Sequence, residues 1–238
     1  MSHKKELYGD GIGSVELIDF MGSDLTIVNA ARVSFGKQKE FMDDLDRKLI
    51  SYLAKHKHTS TFEHNVATFR FTVPLFIRSQ HMRHRTWAYN EISRRYTDVD
   101  MRFYETKNFR SQHKSNRQAS TDEIIDPVID EGAIHGGQSA SYLVRTHHKS
   151  CLKLYNKLID NGVCREQARG VLPQNLYTEY YGTVNLNNLL KFIGLRIHVG
   201  AQWEIQQVAQ ALLEIASDIW PTAVSAYGKE VASTKQQE

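Results

Sequence analysis

The segment Arg83-His84-Arg85-Thr86-Trp87-Ala88-Tyr89-Asn90-Glu91-Ile92-Ser93-Arg94-Arg95-Tyr96 places cations, an acid, hydroxyls and aromatics side by side. An arginine fork keeps its charge and can bond bidentately to phosphate oxygens or to a planar imide, and an imidazole between two such forks is a donor that can titrate. An exposed basic loop would carry the same charge without any chemistry. Ser93 could pass for a nucleophile. No His-Asp pair stands at an offset that would activate it, so a hydroxyl that positions a ligand is the better reading.

Three further clusters carry chemistry-bearing residues. Lys55-His56-Lys57-His58-Thr59-Ser60-Thr61-Phe62-Glu63-His64 holds three histidines, which raises a metal hydrolase built on His56, His58 and His64. No HExxH spacing supports it, and a cationic helix end facing the helix dipole accounts for His56 and Lys57. Arg165 and Arg169 lie one helical turn apart and could pair with Glu166 or meet a ligand. The last cluster joins Arg196 to Ala201-Gln202-Trp203-Glu204-Ile205.

The elements that must position these clusters follow from periodicity. Val15 to Met21 alternates as a strand, and Gly22-Ser23-Asp24 then turns into a helix near Leu25 to Val33. Phe41, Leu45, Leu49, Ile50 and Leu53 mark an amphipathic helix from about Glu40 to Lys55. Ala67, Phe69, Phe71 and Val73 share one face of a half-buried strand from Asn65 that Pro74 ends. A helix from Leu75 to about Arg85 would end on the Arg-His-Arg triplet, leaving Trp87 to Ser93 as a loop. Asp100 to Gly137 is the least regular part and reads as a mobile loop. A helix from Ser139 to Ile159 stops at Asn161-Gly162. A short helix from Arg165 to Val171, a strand from Leu176 to Val184, and helices from Asn185 to Arg196 and Ala201 to Trp220 complete the chain. Strands and helices mixed without βαβ alternation predict an α+β fold, a central, mainly antiparallel sheet flanked by helices, in a single domain over 1–238.

Composition sets the outer limits. With 238 residues, 41% of them hydrophobic, the chain can bury a sizeable core. A net charge of +3 is too small for general nucleic-acid affinity, and its local concentration suggests a small anionic ligand. A nucleic-acid-binding module using the Arg78 to Arg95 cations, with Trp87 and Tyr89 to stack bases, is the rival reading. Cys151 and Cys164 lack any CxxC partner and read as reduced thiols of a cytoplasmic protein. No run is long and apolar enough to span a bilayer, so no membrane is expected. Gly-x-Gly-x-x-Gly follows no strand, so a flavin or nicotinamide would not sit in a Rossmann site.

Arg83-His84-Arg85, seven residues, then Ser93 resembles the signature of the flavin-dependent thymidylate synthases. Three other stretches are similar to that family in the same order: His58 to His64, Arg165 to Pro173, and Arg196 with Ala201 to Ile205. The resemblance runs from about Val15 to Trp220, with 100–137 as a variable or inserted segment. It implies reductive methylation of dUMP to dTMP, with 5,10-methylenetetrahydrofolate giving the carbon, FAD as redox cofactor and NADPH reducing it. It implies dUMP contacts at Gln80, His81, Met82, Arg83, Glu91, Ile92, Ser93, Arg94, Arg95, Arg169 and Arg196, with Arg196 catalytic. It implies FAD contacts at His58, Ser60, Arg83, His84, Arg85, Glu91, Asn185, Leu186, Asn187 and Lys191. It implies no metal, and a homotetramer with its sites at subunit interfaces. The sequence departs from the family at Thr61, where proline is usual, at Lys191 for asparagine, at Asn187 for arginine and at Gly200 for a histidine.

Overall fold

The computed structural model describes residues 3–106, 109–130 and 136–234, with side chains to residue 228. In chain order the elements are β1 (Lys4–Glu6), β2 (Ser14–Met21), α1 (Asp24–Arg32), α2 (Asp44–Lys55), β3 (Val66–Pro74), α3 (Leu75–His81), β4 (Ala88–Glu91), β5 (Phe109–Gln112), β6 (Ser120–Ile125), β7 (Val128–Ile129), β8 (Gln138–Ser139), α4 (Ala140–Asp160), α5 (Arg165–Ala168), β9 (Tyr177–Asn185), α6 (Leu186–Arg196), α7 (Trp203–Ile219) and α8 (Pro221–Thr234). Short 3-10 turns occupy Val33–Phe35, Thr59–His64 and Arg169–Val171. The chain divides into two compact units, one of Met1–Thr72, Gln80–Asn90 and Glu179–Glu238, the other of Val73–Ser79 and Glu91–Thr178.

The main sheet has strand order β1-β2-β3-β9-β4. β1 pairs antiparallel with β2, and β2 with β3, Val15 standing opposite Phe71. In the first unit the alternation of β3 is realised as expected, with Ala67, Phe69 and Phe71 buried and Thr68, Arg70 and Thr72 half-buried. Phe71 stacks on Tyr180 of β9 at 5.0 Å, and Trp87 and Phe192 complete an aromatic core around the buried His81. Each such ring contributes roughly 1.5–3 kcal/mol on burial. Gly182 of β9 makes room for them, since a Cβ there would meet Phe71 at 3.0 Å and Trp87 at 3.1 Å.

Local chemistry sets where the helices begin and end. Asp43 caps α2 by accepting from Asp46 N at 3.0 Å. The same helix ends in a paired turn, Lys57 N donating to Ala54 O and His58 N to Leu53 O, with Lys57 left-handed at φ 57°. The basic residues at this end therefore complete the cap as well as facing the dipole. Asn185 caps α6 by accepting from Asn188 N at 2.9 Å.

In the second unit, Ser139 caps α4 and the expected Asn161-Gly162 stop holds, with Gly162 at φ 84° and Val163 N bonded to Leu158 O. Two expectations are corrected. Residues 109–130 are not structureless: β5 and β6 pair antiparallel, Arg110 opposite Ile124, and β7 pairs with β8. Residues 107, 108 and 131–135 of that segment lie outside the described residues. Trp87 to Ser93 is not a loop, because Ala88–Glu91 is strand β4, and α3 ends at His81, before the Arg-His-Arg triplet. The reason is packing: Trp87 is buried and stacks parallel to Tyr89, two residues on along the same strand face. Helix α8, begun by Pro221, and strand β1 carry no periodic apolar signal and were not expected from the sequence.

Candidate active site

The first unit gathers one set of site residues where α3 turns toward β4. The Tyr89 hydroxyl donates to the carbonyls of His81, at 2.9 Å, and His84, at 3.1 Å, and so pins the turn that carries Met82 and Arg83. Burial keeps that phenol protonated, well above its ordinary range. His81 is fully buried, its Nδ1 2.8 Å from the Tyr180 hydroxyl, and desolvation holds it neutral. Its side chain belongs to the core, leaving its backbone as the part that a ligand could meet. Arg83 and Arg85 are exposed, and among the described residues neither enters an ion pair.

Arg196, at the end of α6, reaches back to this turn. Its Nε donates to His84 Nε2 at 3.1 Å and its Nη2 to the Gln80 carbonyl at 3.5 Å. Burial lowers the guanidinium pKa, while burial and Arg196 bring the His84 imidazole down to about 4. The Gln80 amide donates to Gln202 Oε1, and Gln202 Nε2 donates to Glu204 Oε2 at 2.8 Å. Gln202 and Glu204 were not assigned from the sequence, although both stand in the closing motif.

In the same unit the start of α6 packs against the 3-10 turn Thr59–His64. The Asn187 amide donates to Glu63 Oε1 at 2.8 Å, so it ties α6 to the turn that carries Ser60. His58, Ser60 and Lys191 are exposed, Asn185 is engaged as the helix cap, and the Leu186 side chain lies in the core. The His56 ring packs tilted against Tyr52, with centroids 4.2 Å apart. Among the described residues, no three His, Cys, Asp or Glu side chains gather as a metal site.

The second unit holds a cleft of about 560 Å³ lined by Arg78, Glu91, Ile92, Ser93, Arg94 and Arg169, among others. That volume falls in the range of small-ligand sites. Glu91 Oε1 accepts from Arg78 Nε at 3.0 Å and from the Thr178 hydroxyl at 2.6 Å. Arg94 donates to the Val99 carbonyl at 2.7 Å, and burial lowers its pKa. Arg95 pairs with Glu166 at 3.6 Å and Arg165 with Asp98 at 2.8 Å, both at the surface. Arg169 is exposed and, among the described residues, makes no ion pair. Ser93 Oγ accepts from Arg95 N at 3.3 Å. Among the described residues, no histidine lines the cleft. Arg78 and Thr178 were not assigned as site residues, because nothing in their spacing distinguishes an arginine on α3 or a threonine on β9 as the clamp of a distant carboxylate.

The donor set suits a dinucleotide cofactor. Arg83 and Arg85 are guanidinium groups without a protein carboxylate, beside the neutral His84 and in a unit that also exposes Ser60. Such cations and hydroxyls match a pyrophosphate and its riboses. No helix of the described residues is long and apolar enough to cross a membrane.

The sequence matches the Thymidylate synthase complementing protein family over residues 16–222. It is 43% identical to a flavin-dependent thymidylate synthase of Thermus thermophilus over 90% of this chain and 75% of that one. It is 40% identical to a flavin-dependent thymidylate synthase of Thermotoga neapolitana over 91% of each. Its fold is similar to the crystal structure of PolB, a UMP/dUMP methylase from Streptomyces cacaoi bound with 5-Br UMP, at a TM-score of 0.75 and 32% identity, covering 94% of this chain and 96% of that one. Family match, relatives and fold agree, and the chain belongs to the flavin-dependent thymidylate synthases.

Proposed function

We propose that this protein makes dTMP from dUMP by reductive methylation, with 5,10-methylenetetrahydrofolate as carbon donor, FAD as redox cofactor and NADPH as its reductant. The observation that carries the reading is Arg196: a half-buried guanidinium whose protein partners are a neutral imidazole and a carbonyl, so that its positive charge is left for a ligand. A pyrimidine ring becomes reactive when negative charge can build on it, and a fixed cation in a partly dry site is the group that stabilises such charge. Arg196 is the catalytic residue.

The other residues bind and orient. Gln80, His81, Met82 and Arg83 in one set, and Glu91, Ile92, Ser93, Arg94, Arg95 and Arg169 in another, hold dUMP. His58, Ser60, Arg83, His84, Arg85, Glu91, Asn185, Leu186, Asn187 and Lys191 hold FAD, Leu186 and Asn185 through backbone. Once reduced by NADPH, a flavin held by these residues would supply the hydride that takes the transferred carbon to a methyl group. No cysteine is needed for hydride delivery: Cys164 is exposed and Cys151 half-buried, the latter with Sγ 3.4 Å from His147.

The whole chain works as one catalytic domain in the cytoplasm, and it assembles as a homotetramer that completes its sites at subunit interfaces. The exposed Val33, Phe35, Phe41 and Leu45, two of them about 80% exposed, support such an assembly, since surfaces of this kind are covered in stable proteins. A nucleic-acid-binding role is disfavoured because Arg78 and Arg95 are engaged by Glu91 and Glu166.

The test is NADPH oxidation with FAD and methylenetetrahydrofolate, with and without dUMP, followed by mass identification of the product. Production of dTMP that requires dUMP and FAD supports the assignment; absence of dTMP from the flavin-loaded protein overturns it. Light scattering after size exclusion should show a tetramer, and a monomer that still turns over would remove the assembly.

A further inference from the structure

The contact between Arg196 and His84 fixes more than distance. A guanidinium does not give up its protons in a protein, so Nε–H is the donor and His84 Nε2, 3.1 Å away, must present a lone pair. A neutral imidazole has one N–H, which is then on Nδ1. Phe192, one helical turn before Arg196 on α6, stands edge-to-face against the His84 ring at 4.7 Å. A single helix therefore both clamps the ring and receives its lone pair, while Tyr89 holds the His84 backbone from the other side. Burial first, and then the Arg196 guanidinium, oppose a charge on His84, while the adjacent His81 ring is itself buried and neutral.

We propose that His84 is a positioning residue for Arg196, fixed as the Nδ1–H tautomer, whose Nε2 aims the guanidinium and whose Nδ1–H is offered to the bound cofactor or substrate. His84 is then a donor and never the general base, although a histidine between two arginines would be the first candidate for one. The kinetic part of this inference rests on Arg196 acting on dUMP as proposed above; the tautomer does not.

Two measurements on the full-length protein decide it. In protein labelled with 15N-histidine, the His84 signals are identified by their loss in His84→Gln. They should show a pyridine-like Nε2 and a pyrrole-like Nδ1 across about pH 6 to 8, the range in which an ordinary imidazole titrates. The opposite tautomer, or an imidazolium, overturns the proposal. The second measurement compares two amides. His84→Gln places an acceptor near the position of Nε2, and His84→Asn places its amide near Nδ1. His84→Asn should lose about 10- to 100-fold more in kcat than His84→Gln does, with KM for dUMP similar in the two variants, the size expected when an orienting partner is removed. The reverse order would make Nδ1 the important atom and sink the positioning role. If wild-type protein makes no dTMP, the functional reading fails while the spectrum still tests the tautomer; if neither variant folds, the wild-type spectrum decides, with the remaining signals assigned by ligand-induced shifts.

Discussion

The two ligand-facing regions treat their arginines in opposite ways. In the first unit Arg196 leans on a neutral imidazole and a carbonyl and, among the described residues, makes no ion pair. In the second unit Arg78 is bonded to Glu91, whose same oxygen also receives the Thr178 hydroxyl. A cation without a counter-charge is suited to charge that appears during a reaction. A cation closed on a carboxylate is suited to holding that carboxylate still, so that its other oxygen can take a hydrogen bond from a ligand. On the proposed function, the difference separates a region for chemistry from a region for recognition.

Substitutions can break that distinction or sharpen it. Arg196→Ala should lower kcat for dTMP formation by about 10²- to 10³-fold, the loss typical of one charge-stabilising donor, with flavin still bound by its absorption spectrum. Unchanged turnover would end its catalytic role. Arg78→Met should instead weaken dUMP binding about tenfold in calorimetry and leave kcat nearly untouched, as expected when a partly buried carboxylate loses its partner at about 1.4 kcal/mol. A loss in kcat as large as that of Arg196→Ala would erase the contrast between the regions. Thr178→Val should weaken binding about fivefold, near 1 kcal/mol for a neutral donor, and Thr178→Ser should restore it.

Stability against pH gives a further test. Burial, and then Arg196, depress His84 from 6.5 to about 4, and burial above all holds His81 well below 6.5. The unfolded chain takes up protons near pH 6.5 that the folded chain refuses until about pH 4, so stability should be level above 6.5 and fall on acidification through that window. Asp46, held below the ordinary carboxylate range by Lys39 and Arg32 against its burial, adds a loss only under about 3.8. Urea midpoints at pH 7.5 and pH 5 should differ, and less so in His84→Gln. A control outside both regions is Lys57→Gly. Relieving its left-handed backbone should raise the melting temperature by a few degrees at most, for roughly 1 kcal/mol, with activity unchanged.

Local signals and distant ones were read with different success. Strand β3 and helix α4 follow from apolar spacing and end chemistry that lie within a few residues of each other, whereas α2 starts at Asp44 behind the Asp43 cap rather than near Glu40 and leaves Phe41 and Leu45 exposed. Strand β4 is not legible as a strand, because its four residues owe their conformation to Trp87 and Tyr89 packing in the core, and α8 begins with a proline and is rich in small residues. The Arg-His-Arg triplet was visible as a cluster, and Arg196 as a candidate by resemblance. That they meet was not visible, since the partner of His84 lies 112 residues away. Thr178 and Arg78 escaped for the same reason: the carboxylate they hold is close to neither in the chain.

The Gly22-Ser23-Asp24 corner has a consequence for how the chain is made. The Asp24 carboxylate accepts from the backbone of Thr222, at 2.8 Å, and of Ala223, at 3.0 Å, and the Trp220 indole donates to the Gly22 carbonyl at 3.1 Å. Asn65 closes on Ser23 beneath them, where only a glycine fits at position 22, since a Cβ there would run into the Asn65 side chain. The acid that starts α1 is thus also the acid that starts α8, on the far side of 199 positions of chain. A ribosome must deliver the chain through residue 223 before that anchor exists, so the early segments wait, with apolar faces uncovered, for α8 to arrive.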